Sequence, residues 1–308
     1  MIRFIIKIVR LSIGIALIYL VLGFVADGYT DPFYLRFTSS KQKSLILGTS
    51  RAAQGIVPEI LNQIIIKENY EGCMYNYSFT VLHSPFGKTY YRAIEEKLNK
   101  DVKKGLFIIA VDPWSIASRT DINHDRETEL ELSKINTFNS FPNYDYLKNA
   151  YKKSFFSLLG DKIFPNKSMP MLLHDDGWLE VSVDTTNAKM LKSSTKKIND
   201  YKKNQLPLNK ISKERLTYLE KTIKLLKAHG KVVLVRLPVD IKMLGIENQL
   251  DPFFNKRMKD LGRNTESLYL NYKDEGYIFP DGNHLYKESG KIFSEKLAKD
   301  INQLYLND

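Results

Sequence analysis

The apolar positions of this chain fall into one long run at the N-terminus and then into short blocks separated by helical stripes. From Leu11 to Ala26 sixteen residues pass without a charge, and Phe4, Ile5, Ile6, Ile8 and Val9 extend the run around Lys7 and Arg10. A helix crossing ~30 Å of hydrocarbon needs roughly 20 residues, and cations near its end reach the interface through their long side chains. Arg3, Lys7 and Arg10 precede the run while Asp27 and Asp31 follow it, which predicts a cytoplasmic N-terminus and an extracytoplasmic remainder. A cleaved signal peptide is the competing reading. Phe24 stands two residues before Ala26, where cleavage needs a small side chain, so residues 1–27 are expected to stay as an anchor.

Past the anchor, Leu45-Ile46-Leu47, Cys73–Phe79, Leu106–Val111 and Val232–Leu237 are short, apolar and rich in β-branched or aromatic residues, the pattern of strands buried on both faces. A shorter strand is expected near Leu268–Tyr272. Pro58 followed by Glu59, Ile60, Leu61, Ile64 and Ile65 predicts a helix over about 57–67, entered by a loop through Gly55. Tyr90–Leu98 carries a helical stripe. So does Glu214–His229, with Leu216, Leu219, Ile223 and Leu226 before Gly230, and a terminal helix is expected from about Leu285 to Leu304. Strands alternating with helices predict an α/β fold: a three-layer sandwich around a central parallel five-stranded sheet, with ligands outside the carboxyl ends of the strands. Residues 115–210 fit badly. They are polar, rich in tyrosine and asparagine and weakly periodic, and read as an insertion lying over the carboxyl edge of the sheet within one domain spanning 28–308.

Composition removes several classes. At 43% hydrophobic and 26% charged residues the chain is that of a folded globular protein rather than a disordered or collagen-like one. One cysteine, Cys73, excludes a disulfide scaffold, a CxxC redox pair and a thiolate zinc site. The net charge of +11 favours anionic partners, among them lipid headgroups and acidic polysaccharide; beyond a membrane, nucleic acid is not expected. The lysine pairs (Lys152-Lys153, Lys196-Lys197, Lys202-Lys203) are scattered, as on a solvated face.

Two segments can carry chemistry. Ser50 lies in Gly48-Thr49-Ser50-Arg51, directly after the first strand, where backbone N–H groups would face whatever the serine attacks. At the other end, Phe279-Pro280-Asp281-Gly282-Asn283-His284 places a carboxylate three residues before a histidine in the loop that opens the last helix. One ring nitrogen would take the Ser50 proton while the other donates to Asp281, which fixes the tautomer. His174-Asp175-Asp176 has no second histidine at ligand spacing, so it reads as structural or as part of a substrate loop, and no metal or cofactor is expected. Trp178 reads as a packed aromatic, with sugar stacking as the alternative, and His83, His124 and His229 are given no role.

Together these blocks resemble the SGNH/GDSL hydrolase superfamily, whose first block is a serine in a G-x-S turn after strand one and whose last is D-x-x-H before the terminal helix. The resemblance covers roughly 40–114 and 212–306, and implies a flavodoxin-like sheet with Ser50 as nucleophile, His284 as base and Asp281 as its orienting carboxylate. The anchor, Gly48-Thr49-Ser50-Arg51 and Arg236-Leu237-Pro238 look most like the membrane-tethered cell-envelope group, which includes periplasmic alginate O-acetylation proteins and the D-alanine transfer protein of teichoic acid. The middle blocks depart from the pattern. Asn76-Tyr77-Ser78-Phe79-Thr80 has no glycine until Gly87, and the third strand ends in Val111-Asp112 where the family supplies an asparagine amide. The Ser50 N–H, Asn76, Arg51 and Arg236 are therefore the candidate oxyanion or substrate contacts, with Asp112 as the anomaly among them, since a carboxylate cannot donate.

The expected function is transfer of an acyl group, acetyl first of all, to a cell-envelope polysaccharide through an acyl-Ser50 ester, fed by a polytopic membrane acyltransferase. An esterase using the same triad is the first alternative. A non-catalytic scaffold subunit is the second.

Overall fold

The computed structural model describes residues 1–120, 131–151, 160 and 170–306. Five strands build the central sheet: β1 (Ser44–Leu47), β2 (Met74–Asn76), β3 (Gly105–Ala110), β4 (Gly230–Arg236) and β5 (Leu268–Asn271). They lie in the order β2-β1-β3-β4-β5 and every pairing is parallel. Successive side chains of a strand point to opposite faces, and both sets are apolar here. Leu45, Leu47, Phe107, Ile109, Val232 and Leu234 join one core with helices Lys88–Lys97, Lys213–Lys227 and Phe254–Asn264. Ile46, Ile108, Val233 and Val235 join the other with Pro58–Ile64 and the terminal helix Lys287–Leu306. The expected three-layer sandwich is this arrangement.

The order reverses direction at β1. The chain leaves β1 toward β2 and then crosses back to β3, so a crevice opens between the carboxyl ends of β1 and β3, where open α/β sheets bind their ligands. Gly48 stands at that crevice with φ +146°, and a Cβ there would lie 2.8 Å from that of Ala110. Only glycine permits the close passage of the β1 turn against β3.

Two local expectations are corrected. Ser50–Gly55 is a helix rather than a loop: Ala52 and Ala53 favour it, and the Asn76 Nδ2 donates to the carbonyls of Ala52 and Ile56 at 2.8 and 2.9 Å. The helix after it is shorter, Pro58–Ile64. Helices Ile241–Leu250 and Phe254–Asn264, unforeseen, fill the connection from β4 to β5.

The insertion is closed at its neck, since Ala117–Arg119 pairs antiparallel with Asn209–Ile211. Inside it a hairpin joins Met171–Leu173 to Leu179–Val181, and helix Asn187–Asp200 follows. Both lie over the carboxyl edge, whereas Leu132, Ile135, Tyr146 and Leu147 of the same stretch pack into the first core. Gly177 packs on the Asn76 backbone, and Ile198 and Ser194 pack on Gly282. His124 and Lys152-Lys153 lie outside the described residues. At the N-terminus, helix Ile2–Val25 is long and apolar enough to cross a membrane, and a signal sequence has the same length and composition.

Candidate active site

The turn after β1 delivers Ser50 to the start of its helix, and the terminal helix packs across that same helix. A Cβ on Gly290 would lie 3.2 Å from the Gln54 carbonyl, and Gly55 sits against Leu285. This approach carries the loop before the terminal helix onto Ser50, although 234 residues separate the partners. Ser50 Oγ lies 2.8 Å from His284 Nε2, and His284 Nδ1 lies 2.8 Å from Asp281 Oδ2. Asp281 Oδ1 accepts from the backbone N–H groups of Asn283 and His284, each at 2.9 Å. Gly282, with φ +76°, lets the loop turn tightly enough for both.

Asp281 is held as a carboxylate. Burial opposes its charge, but the hydrogen bond from the His284 ring, the Lys197 ammonium at 3.1 Å and the Asn283 N–H outweigh burial and hold it well below the usual carboxylate range. With Asp281 ionised, Nδ1 carries the proton it donates and Nε2 is left as the acceptor facing Ser50. That is the protonation state a general base requires.

A buried charge network lies beneath. Arg51 Nη1 pairs with Glu247 Oε1 at 2.6 Å, and Glu247 Oε2 accepts from Arg236 Nη2 at 2.7 Å. Glu247 is fully buried. Burial works against the Arg51 charge, yet Glu247 and Asp112 more than offset it and hold the guanidinium above its ordinary value. Arg51 also donates through Nε and Nη2 to Asn283 Oδ1, at 3.2 and 2.6 Å, so the residue after Ser50 is tied to the residue before His284.

The four further candidates thus separate. Arg51 belongs to the site as a positioning residue, and Arg236 supports it from the end of β4 through Glu247. Asn76 is corrected: both of its amide hydrogens go to the Ser50 helix, so it holds that helix and has none for an oxyanion. Asp112 turns aside. Its Oδ1 accepts from the Ser115 N–H at 2.9 Å in a reciprocal cap, and its Oδ2 from the Thr49 hydroxyl at 3.3 Å. Burial raises its pKa against the pull of Arg51. Glu247 and Asn283 escaped sequence reasoning: a lone glutamate inside Ile241–Leu250 has no distinguishing spacing, and Asn283 was visible only as a letter within D-x-x-H.

A cleft of about 300 Å3 opens beside His284, between the hairpin, helix Asn187–Asp200 and the Asp281 loop, with Gln54, Val181, Val183, Lys189 and Tyr286 on its walls. Two larger surface grooves, of about 690 and 560 Å3, contain none of the triad. Trp178 is packed, 5% exposed, with its Nε1 donating to the Gln54 carbonyl at 3.0 Å and its ring stacked on His174. It braces the Ser50 helix rather than offering a face to a sugar. His174 lies 3.0 Å from Glu180. Among the described residues no group of three or more His, Cys, Asp or Glu is placed to hold a metal ion. No protein-family model matches this chain, and no curated protein matches it in sequence.

Proposed function

We propose that this chain is a serine-dependent acyltransferase of the cell envelope, moving an acyl group, acetyl first of all, onto a polysaccharide hydroxyl. The observation that carries the reading is the continuous relay from Ser50 Oγ through His284 to Asp281, with both links at 2.8 Å. The resemblance of Gly48-Thr49-Ser50 and Asp281-Gly282-Asn283-His284 to the SGNH/GDSL blocks supports it, as does the doubly wound order of the sheet. Ser50 Oγ attacks the acyl carbon as its proton passes to His284 Nε2. The imidazolium, steadied by Asp281, returns that proton to the leaving group, and a sugar hydroxyl then opens the acyl-Ser50 ester by the same path reversed.

Helix Ile2–Val25 serves as an anchor with a cytoplasmic N-terminus, the catalytic domain lying across the membrane. There donor thioesters are absent, so a polytopic membrane acyltransferase supplies the acyl group, and tethering to one bilayer raises the effective concentration of the two partners. Incubating the full-length chain in detergent with an acetyl ester and an envelope oligosaccharide tests the reading. Acetylated sugar that disappears with Ser50→Ala is the expected result. Free acetate alone makes the chain an esterase, and a Ser50 inert to serine-reactive phosphonates makes it a scaffold.

A further inference from the structure

We propose that Asn283 is the side-chain donor to the oxyanion formed at Ser50, a role taken from the last loop because the end of β3 cannot supply it. The inference rests on the acyl-transfer reading of Ser50. At the end of β3 stands Asp112, an acceptor already engaged by Ser115 and Thr49. The Asn76 amide is engaged by two carbonyls. Asn283 is 3% exposed, and its amide orientation is forced. Two Arg51 donors converge on Oδ1, so the oxygen must face Arg51 and the NH2 must face away. It faces the chemistry: Nδ2 lies 3.3 Å from His284 Nε2, the same atom that Ser50 Oγ approaches at 2.8 Å. Arg51 is itself held by Glu247, and Glu247 by Arg236, so the amide is fixed before substrate arrives.

The arrangement changes during the reaction in the direction catalysis requires. At rest the Nε2 lone pair faces both the Ser50 hydroxyl and the Asn283 amide. On attack the Oγ–C bond forms, the carbonyl π pair moves onto its oxygen, and the Ser50 proton moves to Nε2. The protonated ring has no lone pair left for Asn283. Its N–H is released to the new oxyanion alongside, an interaction made in the transition state and absent from the ground state.

The test measures Ser50 labelling by a phosphonate ester, and kcat and KM for p-nitrophenyl acetate, in the full-length chain carrying Asn283→Asp or Asn283→Ala, with thermal melting of each. Asn283→Asp keeps an oxygen for Arg51 but removes the donor. Loss of an oxyanion donor lowers kcat by about 10²–10³-fold, and we expect that fall with KM little changed and with Asn283→Asp no better than Asn283→Ala. If Asn283 only braces the loop, Asn283→Asp should instead outperform Asn283→Ala. That order, unchanged labelling in both, or losses that track the unfolded fraction overturn the inference while the Ser50 reading stands. A wild-type chain that does not label overturns both.

Discussion

Arg51 and Arg36 are both buried cations, and the fold accommodates them in opposite ways. Arg51 shares Glu247 with Arg236 at the carboxyl edge of the sheet, and its charge is reinforced. Arg36 lies in the short helix Tyr34–Thr38 between the N-terminal helix and the sheet, fully buried, and donates to the carbonyls of Asn76, Gly177 and Pro32. Among the described residues it has no carboxylate partner, and burial lowers its pKa to about 10. Lys97 is similar: it donates to the Ser39 carbonyl at 2.7 Å, and burial lowers it to about 7. A guanidinium bound to carbonyls ties backbone segments together. One bound to a carboxylate has its position and charge set, and can orient a further group, as Arg51 orients Asn283. Charge is thus invested with a counter-charge where chemistry is proposed, and without one where the chain is only fastened.

If that contrast is right, residues at the carboxyl edge control activity out of proportion to stability. Ser50→Ala and His284→Ala should each lower acyl transfer by about 10⁴–10⁶-fold, and the double variant by little more, because neither side chain is useful alone. Both should melt close to wild type. Additive losses in a steady-state assay would mean that the pair does not act as a unit. Asp281→Asn should be milder, about 10²–10⁴-fold, since it leaves nucleophile and base in place but withdraws the charge that fixes the tautomer. Activity equal to wild type would remove Asp281 from the mechanism.

The triad was legible because its parts are local. A serine right after an apolar strand and a carboxylate three residues before a histidine are spacings that survive in one dimension, and the alternating strands implied that both turns open on one edge. The network beneath was not legible. Glu247 belongs to a helix in which Met243 and Ile246 are the buried apolar positions, and only the pairing of both β1 and β4 with β3 brings Arg51 and Arg236 together on it. Helix Phe254–Asn264 was available in principle, through Phe254, Met258 and Leu261 at helical spacing, but its polar residues outnumber that stripe. The insertion resisted for a related reason: its described segments fold onto parts distant in sequence, Leu132, Ile135, Tyr146 and Leu147 into the first core and Gly177 and Lys197 onto Asn76 and Asp281, rather than along one apolar stripe of their own.

Removing a shared counter-charge should be worse than removing a cation that has none. Glu247→Gln leaves Arg51 and Arg236 buried without their carboxylate and should destabilise by about 3–5 kcal/mol, with activity falling as Asn283 loses its anchor. Arg36→Met leaves no orphaned charge. It strips three carbonyls of a donor and should destabilise by about 1–3 kcal/mol, with activity per folded molecule retained. Urea unfolding of both variants against wild type checks the order, and Arg36→Met proving the more damaging would reverse the contrast.

The smallest expected effect is the one most specific to a cation without a counter-charge. Lys97 titrates near 7 in the folded chain and near its ordinary 10.5 when unfolded, because burial disfavours its charge. Below about pH 7 both states hold the proton, and the burden of the buried charge is fully present. Between pH 7 and 10.5 the unfolded state holds a proton that the folded state has released, so this group raises stability with pH, by at most ~1.4 kcal/mol per unit. A neutral amine still has hydrogens for the Ser39 carbonyl and hydroxyl, which it meets at 2.7 and 3.1 Å, so the fastening of Ser39 at the end of helix Tyr34–Thr38 survives deprotonation. Lys97→Met abolishes the titration. Urea unfolding at pH 7, 8 and 9 should show wild type gaining on Lys97→Met at each step, with Arg51→Met giving no such gain because the Arg51 charge persists across that range. Parallel pH profiles for wild type and Lys97→Met would mean that the buried ammonium is as well compensated by carbonyls and by the Tyr75 and Tyr77 rings as Arg51 is by Glu247.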